Sequence, residues 1–142
     1  MSLKAKVKIP NRRSGYNQKC KIYSQNGEKT IYIRTGEYPD GILKEVRIDI
    51  DKEGTLINGV LDCFCILLNI CLQRDRNIND LAEEDNSLLE KIGNQFIFSK
   101  FEPSGIVQNH SFIKNCTSPL DLIFRDLLIT YCNREDLKHN DS

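Results

Sequence analysis

Apolar and polar residues alternate from the start of the chain. Leu3, Ala5, Val7 and Ile9 fall on one side of an extended segment, and Lys4, Lys6 and Lys8 on the other. That period of two predicts a half-buried strand over residues 1–10, with a lysine face suited to a sheet edge. Pro10 ends it, and the basic loop NRRSG follows. Two β-branched runs, KCKIYS and KTIYIRT, flank QNGE, and Asn-Gly between such runs is a strong hairpin signal. GEYPDG predicts a second turn. In KEVRIDI, Val46, Ile48 and Ile50 then alternate with Glu45, Arg47 and Asp49. Together these pieces predict an antiparallel meander of three or four strands.

The period changes after Gly54. Thr55 suits a helix N-cap, and Leu56–Leu72 is apolar on nearly every side. Such a helix is expected to be buried, so it is placed across the sheet as the centre of the core. RDRN breaks it. INDLAEEDNSLLEKIG predicts one or two acidic amphipathic helices, with Gly93 as C-terminal cap. Phe96–Phe101 is expected to be a short strand that ends in a reversal at Pro103-Ser104-Gly105. Glu102 would sit at that reversal, satisfied by backbone amides and Lys100. The last helix is marked by Ser118 as cap, Pro119 in its first turn and Asp121 completing a capping arrangement. Leu120, Ile123, Phe124, Leu127, Leu128 and Tyr131 share one face, while Leu122 and Ile129 lie elsewhere. A helix so apolar is either buried on two sides or meets another chain. The expected class is therefore α+β: a small antiparallel sheet on a buried central helix and a C-terminal amphipathic helix, one domain over residues 1–142 with a polar tail at 138–142.

Charge refines this picture only locally. Twenty basic and twenty acidic residues give a formal net charge of zero, yet the first 34 residues hold nine bases and one acid, Glu28. That basic quarter is either a solvated strand face or a surface for phosphate or nucleic acid. The longest apolar stretch falls short of the roughly 20 residues a bilayer span needs. With no leader pattern at the start, a cytoplasmic location with no membrane contact is expected, along with reduced thiols. The six cysteines form no C-x-x-C pair and the two histidines lie far apart, so no metal site and no catalytic set is expected. Cys63, Cys65 and Cys71 are expected as small core residues. Cys20 lies between Lys19 and Lys21, whose charges would favour thiolate if it were exposed, and it is the redox-sensitive candidate.

Three passages together resemble a known family: PNRRSGYNQKCKI, TIYIRTGEYPDGILKEVRIDIDKEGT and FSKFEPSGIVQNHSFIKNCTSPLDLIFRDLLITYCNREDL. In order, from Ile9 to Leu137, they are similar to the TSCPD-type C-terminal region of adenosylcobalamin-dependent (class II) ribonucleotide reductases, with Asn77–Gln95 the most divergent stretch. The resemblance implies a domain that accompanies the reductase barrel. Radical cysteine, reducing cysteine pair and cobalamin site would then lie in other parts of that enzyme, with no cofactor bound by this chain and no catalytic residue in it. Lys100 stands where the family tends to have arginine, and Asn109 and His110 where it usually has glycine and asparagine.

The expected role is that of an accessory domain in deoxyribonucleotide synthesis, inactive alone. Its partner would be a reductase large chain, met through Arg12, Arg13, Arg34, Lys100 and Glu102 acting as partner- or phosphate-binding residues. The alternative is a non-enzymatic, thiol-sensitive regulator that forms a homodimer and inhibits a type II topoisomerase. Nucleic-acid binding through the lysine face with Tyr16, Tyr23 and Tyr32 is disfavoured, because no nucleic-acid-binding motif is present.

Overall fold

A computed structural model describes residues 11–50, 54–73 and 86–139. The first predicted strand, the RDRN break, the start of the acidic segment and the end of the polar tail lie outside the described residues. Within them the order is β1 (Asn17–Ser24), β2 (Gly27–Glu37), β3 (Leu43–Ile50), α1 (Leu56–Leu72), α2 (Ser87–Phe96), β4 (Gly105–Gln108), β5 (Asn115–Cys116), α3 (Pro119–Cys132) and a 3-10 turn at Glu135–Leu137. The strands form one antiparallel sheet in the order β3-β2-β1-β4-β5. The α+β class is as expected, with five strands in place of three or four.

The two hairpins form where their turn residues put them. Ser24 pairs with Gly27 across the first, and of Asn26 and Gly27 only the glycine takes positive φ (105°). In the second, the Gly41 N–H donates to the Tyr38 carbonyl at 2.9 Å. Register then fixes the faces. Cys20, Ile31 and Ile50 stand side by side on the inner face, and Lys19, Tyr32 and Asp49 on the outer one.

The central buried helix is α3. Every residue from Pro119 to Ile129 is buried, which settles the two options for this helix in favour of burial on two sides. Burying each of its large apolar side chains is worth about 1.5–3 kcal/mol. Phe124 stacks on Phe96 of α2 (5.4 Å between centroids) and meets Phe64 of α1 edge-on (6.0 Å), so one aromatic cluster joins the three helices. Gly93 is not a cap. It lies inside α2, where a Cβ would come within 2.9 Å of Leu128 Cδ1, so its role is to let α2 approach α3.

Helix α1 has the predicted bounds and the predicted Thr55 cap, but not the predicted burial. Its buried residues are Asn58, Leu61, Cys65, Leu68 and Leu72, whereas Leu56, Val60, Ile66, Leu67 and Ile70 are exposed. The cause is the helix's position beside an edge strand. β3 ends the sheet, so its outward backbone groups need partners, and α1 supplies them. Asn69 accepts from the Val46 N–H (2.8 Å) and donates to the Val46 carbonyl (3.1 Å). Asn58 accepts from the Ile50 N–H (3.1 Å), and Gln73 donates to the Lys44 carbonyl (2.9 Å). In return the buried Lys44 ammonium donates to the Leu72 carbonyl at 2.8 Å, at the negative end of the helix. The helix turns its amides inward, and its remaining apolar side faces out. Cys65 is a core residue as predicted; Cys63 and Cys71 fall on the outer side.

Candidate functional site

Charged groups gather at the start of α3. Ser118 accepts from the Asp121 N–H (2.9 Å) as the predicted cap. The Asp121 carboxylate, 1% exposed, accepts the N–H groups of Phe98 (2.8 Å) and Thr117 (3.0 Å) and the Arg125 Nε–H (2.9 Å). Arg125 also donates to the Leu137 carbonyl at 3.0 Å and lies over the Phe98 ring. These contacts overturn the strand expected at Phe96–Phe101. The chain leaves α2 at Phe96, and Phe98 adopts φ 67°, a left-handed conformation costing about 1 kcal/mol or more in a non-glycine residue. The Asp121 and Arg125 contacts hold it there. The reversal does occur at Pro103–Gly105, where a Cβ on Gly105 would lie 2.0 Å from the Tyr23 carbonyl oxygen. Only glycine allows β4 to pair with β1 so closely. Glu102 accepts from the N–H and hydroxyl of Ser104 (3.1 and 2.8 Å) and remains exposed.

A second polar group lies between sheet and α3. The Tyr16 hydroxyl donates to Asp126 Oδ2, and His110 Nε2 lies 2.7 Å from Asp126 Oδ1. His110 Nδ1 accepts the N–H groups of Phe112 and Ile113, both at 3.1 Å, so the proton belongs on Nε2, which donates to the carboxylate. Burial first, and then the Asp126 charge, push the Tyr16 phenol well above its ordinary range. Tyr131, stacked on Tyr16, is raised by burial and by its hydrogen bond to Glu37. A tyrosine, a carboxylate and a histidine in sequence could relay a proton, but the His110 and Asp126 side chains are 4% and 5% exposed, out of reach of a substrate. Their visible task is to tie β1, the loop after β4 and α3 together.

The predicted site residues do not converge. Arg13 pairs with Glu45 (3.2 Å) and Arg34 with Asp49 (3.7 Å), at the β2–β3 side of the sheet. Arg12 is exposed in the loop before β1. Lys100 and Glu102 precede β4, two strands away from β2. Arg34 stands opposite Asn17, and β4 pairs beside Tyr23, so the two groups also lie roughly 20 Å apart along β1. Cys20 is fully buried on the inner face, and burial pushes its thiol up to about 12. The exposure that would let Lys19 and Lys21 favour thiolate is not met. Exposed thiols are instead found at Cys63 and Cys71. What the sheet does gather is an outer face: Asn17, Arg34 and Arg47 form one cross-strand row, and Lys19, Tyr32 and Asp49 the next. Tyr23 shares this face, whereas Tyr16 is turned to Asp126. Among the described residues, no group of three or more His, Cys, Asp or Glu is placed to hold a metal ion, and no helix is long and apolar enough to cross a membrane.

The family model of the TSCPD domain matches residues 3–129. The chain belongs to the TSCPD family. This TSCPD chain is 39% identical to a vitamin B12-dependent ribonucleotide reductase of Agrobacterium fabrum over 95% of its own length, but over only 9% of that protein. A reductase of the same name from Bradyrhizobium diazoefficiens is 37% identical over 98% of this chain and 10% of its own, and one from Rhodopirellula baltica 33% identical over 91% and 11%. The chain thus spans about a tenth of the length of these relatives. No solved structure matches. A corrin cofactor needs a deep, mostly apolar cleft. The trough between β3 and α1, about 670 Å³ and lined by Glu45, Arg47, Asp49 and Asp62, is open and charged, and does not fit such a group.

Sequence reasoning missed the buried partnerships of Asp121 with Arg125 and of Asp126 with Tyr16 and His110. The signal was present: three ionisable residues inside an otherwise apolar helix demand buried partners. The partners themselves, Tyr16 and Phe98, are too distant in sequence to be read off.

Proposed function

We propose that this TSCPD domain serves a B12-dependent ribonucleotide reductase as an accessory domain. It would bind the large chain and support deoxyribonucleotide synthesis without performing turnover itself. One observation carries this reading: nearly the whole chain matches these reductases at up to 39% identity, yet covers only about a tenth of them. The outer sheet face with Arg13, Arg34 and Arg47, together with Arg12, is the contact surface this reading favours. Lys100 and Glu102 would form a second, separate contact. The chain itself would bind no cobalamin. The test is co-purification of the tagged chain with a reductase lacking its own TSCPD region, alongside an assay of the chain alone with ribonucleotide, dithiol and adenosylcobalamin. Retention of the reductase and no product from the chain alone are expected. Deoxyribonucleotide formed by the isolated chain would overturn the reading.

A second reading, a non-enzymatic regulator sensitive to thiol state, is favoured by Cys63 and Cys71 standing exposed on α1. Gel filtration with and without reductant distinguishes it, because a species that forms only without reductant belongs to this reading.

A further inference from the structure

The outer face of the sheet carries more positive charge than its own ion pairs match. Lys21 pairs with Glu28 (3.7 Å), Arg34 with Asp49 (3.7 Å) and Arg13 with Glu45 (3.2 Å). Lys19 and Arg47 are exposed on the same face, and neither has an acid within ion-pair distance among the described residues. Asp62 lines the same trough as Arg47 but forms no ion pair with it. The Lys19 ammonium lies over the Tyr32 ring, 5.7 Å from its centroid, and Tyr32 is itself 37% exposed. The face therefore presents two unmatched cations around an aromatic ring, whereas its other bases are largely neutralised by acids of their own.

Register sets the spacing of the two cations. Lys19 stands in the row of Tyr32 and Asp49, and Arg47 in the row of Asn17 and Arg34. They are two strands and two residues apart, about 12 Å on the diagonal at ordinary sheet spacings. Tyr32 and Arg34 lie between them on β2. Next to these the face sinks into a hollow of about 250 Å³, lined by Asn17, Lys19, Tyr32 and Arg34, with room for one large side chain of a partner.

This pattern selects the occupant. Two carboxylates two turns apart on a helix are separated by about 11 Å, close to the spacing of the two cations. A nucleic-acid strand fits less well, because it brings a phosphate at every nucleotide and Asp49 and Glu28 stand among the bases to repel them. An apolar partner would cover both cations without supplying a counter-charge.

We propose that the outer sheet face receives an acidic segment of the reductase large chain, held by Lys19 and Arg47 with Tyr32 between them. Arg13 and Arg34 contribute less, because their charges are already matched. This inference rests on the accessory-domain reading and specifies the chemistry of its partner.

Biolayer interferometry of the tagged chain with a reductase lacking its own TSCPD region tests it in reducing buffer. Affinity should fall several-fold between about 50 and about 300 mM salt, because exposed charges are screened. Lys19→Glu combined with Arg47→Glu should weaken binding roughly tenfold or more, and Lys19→Gln with Arg47→Gln should weaken it less, in the same direction. Arg13→Gln with Glu45→Gln, which removes a matched pair, should have a smaller effect than either. Lys91→Glu, on the exposed side of α2, should leave binding unchanged. Far-UV spectra and urea midpoints of the glutamine variant should stay close to those of the unmodified chain, since neither side chain is buried or ion-paired. Three results would overturn the inference and leave the reductase reading in place: binding insensitive to salt, binding that survives the Lys19 and Arg47 reversals, or an equal loss from Lys91→Glu. A single-stranded oligodeoxynucleotide bound by the unmodified chain and released by the same reversals would give the face to nucleic acid, and would overturn it too. No binding of the reductase by the unmodified chain would remove the accessory-domain reading and this inference with it.

Discussion

Two helices of this domain look alike in sequence and are used in opposite ways. Both α1 and α3 are apolar runs with a few polar interruptions. In α3 the interruptions Asp121, Arg125 and Asp126 are buried with the rest of the helix, each joined to partners from other elements. In α1 the interruptions Asn58 and Asn69, with Gln73 at the end, serve one neighbour, the open edge of β3, and the apolar side they leave over faces outward. Apolar content shows that a helix must bury something. The polar residues decide which side does so. A buried ion pair needs cover all round, whereas amides that complete a sheet edge need it on one side.

The largest expected effect breaks the α3 half of this comparison. Arg125→Met leaves the nearly inaccessible Asp121 without its cation, and deprives the Leu137 carbonyl of its donor. Removing one member of a buried pair costs about 3–5 kcal/mol. Urea denaturation followed by circular dichroism should show a loss of that order. The matching change on α1, Asp62→Asn, alters an exposed side chain and should move the midpoint hardly at all. Equal losses for the two would mean that the buried charges of α3 are not what distinguishes the helices.

Next comes the edge of β3. Asn69→Leu keeps α1 helical and more apolar, yet strips both outward groups of Val46 of their partner. Each unmet backbone group costs about 1–3 kcal/mol when buried, and water entering the trough offsets part of that, so a loss of about 2 kcal/mol is expected. Ile66→Ser, three residues away on the outward side, should cost little in dilute protein. If Asn69→Leu proved stabilising, the edge would not depend on these amides.

Much of the fold was legible because its signals are local. Asn-Gly, Pro-Asp-Gly, Thr55 and Ser118 each act within a few residues, and the hairpins and the starts of α1 and α3 fall where they put them. What could not be read depends on contacts across the chain. Phe96–Phe101 has strand-like composition, but Asp121, 23 residues after Phe98, takes the Phe98 N–H and holds that residue in a left-handed turn. Cys20 sits between lysines, but strand register turns it inward and leaves them outside. The site suffered most. Arg34 and Glu102 carry suggestive chemistry, yet sheet order separates them, while Tyr16 and Asp126, 110 residues apart, are joined by the fold alone.

A smaller effect sharpens how α3 is packed. Gly93→Ala would gain about 1 kcal/mol of helix propensity in α2. The new methyl would meet Leu128, itself fully buried, with Cδ1, Cδ2 and Cγ all at 2.9–3.0 Å. Overpacking of this kind costs about 1–3 kcal/mol. The net result should be a loss of about 1 kcal/mol, seen as a lower thermal midpoint. A rise would mean that Leu128 has room to turn aside and that the α2–α3 contact is looser than its geometry.

The smallest effect concerns acid. His139 lies beyond α3, where its Nδ1 accepts the Lys114 N–H at 3.0 Å and its backbone N–H donates to the Phe112 carbonyl at 2.8 Å. Burial, then the nearby Arg125 charge, hold its pKa below the ordinary value of 6.5, and Asp121 opposes them only in part. The folded chain therefore binds this proton less readily than the unfolded one. Across the interval between the two values the unfolded state carries more protons, so stability rises with pH there. The neutral ring's advantage is complete above pH 6.5 and is lost as pH falls through the unfolded value towards the lowered one. The ring is partly exposed, so the change should be slight. Comparing urea midpoints at pH 7.5 and 5.5 for the wild type and His139→Gln isolates it, because the other titrating groups are common to both chains. The wild type should lose more on acidification. Identical losses would show that neither burial nor the Arg125 charge sets the folded ring apart from the unfolded one, and that the last turn of the chain is too open to favour the neutral ring.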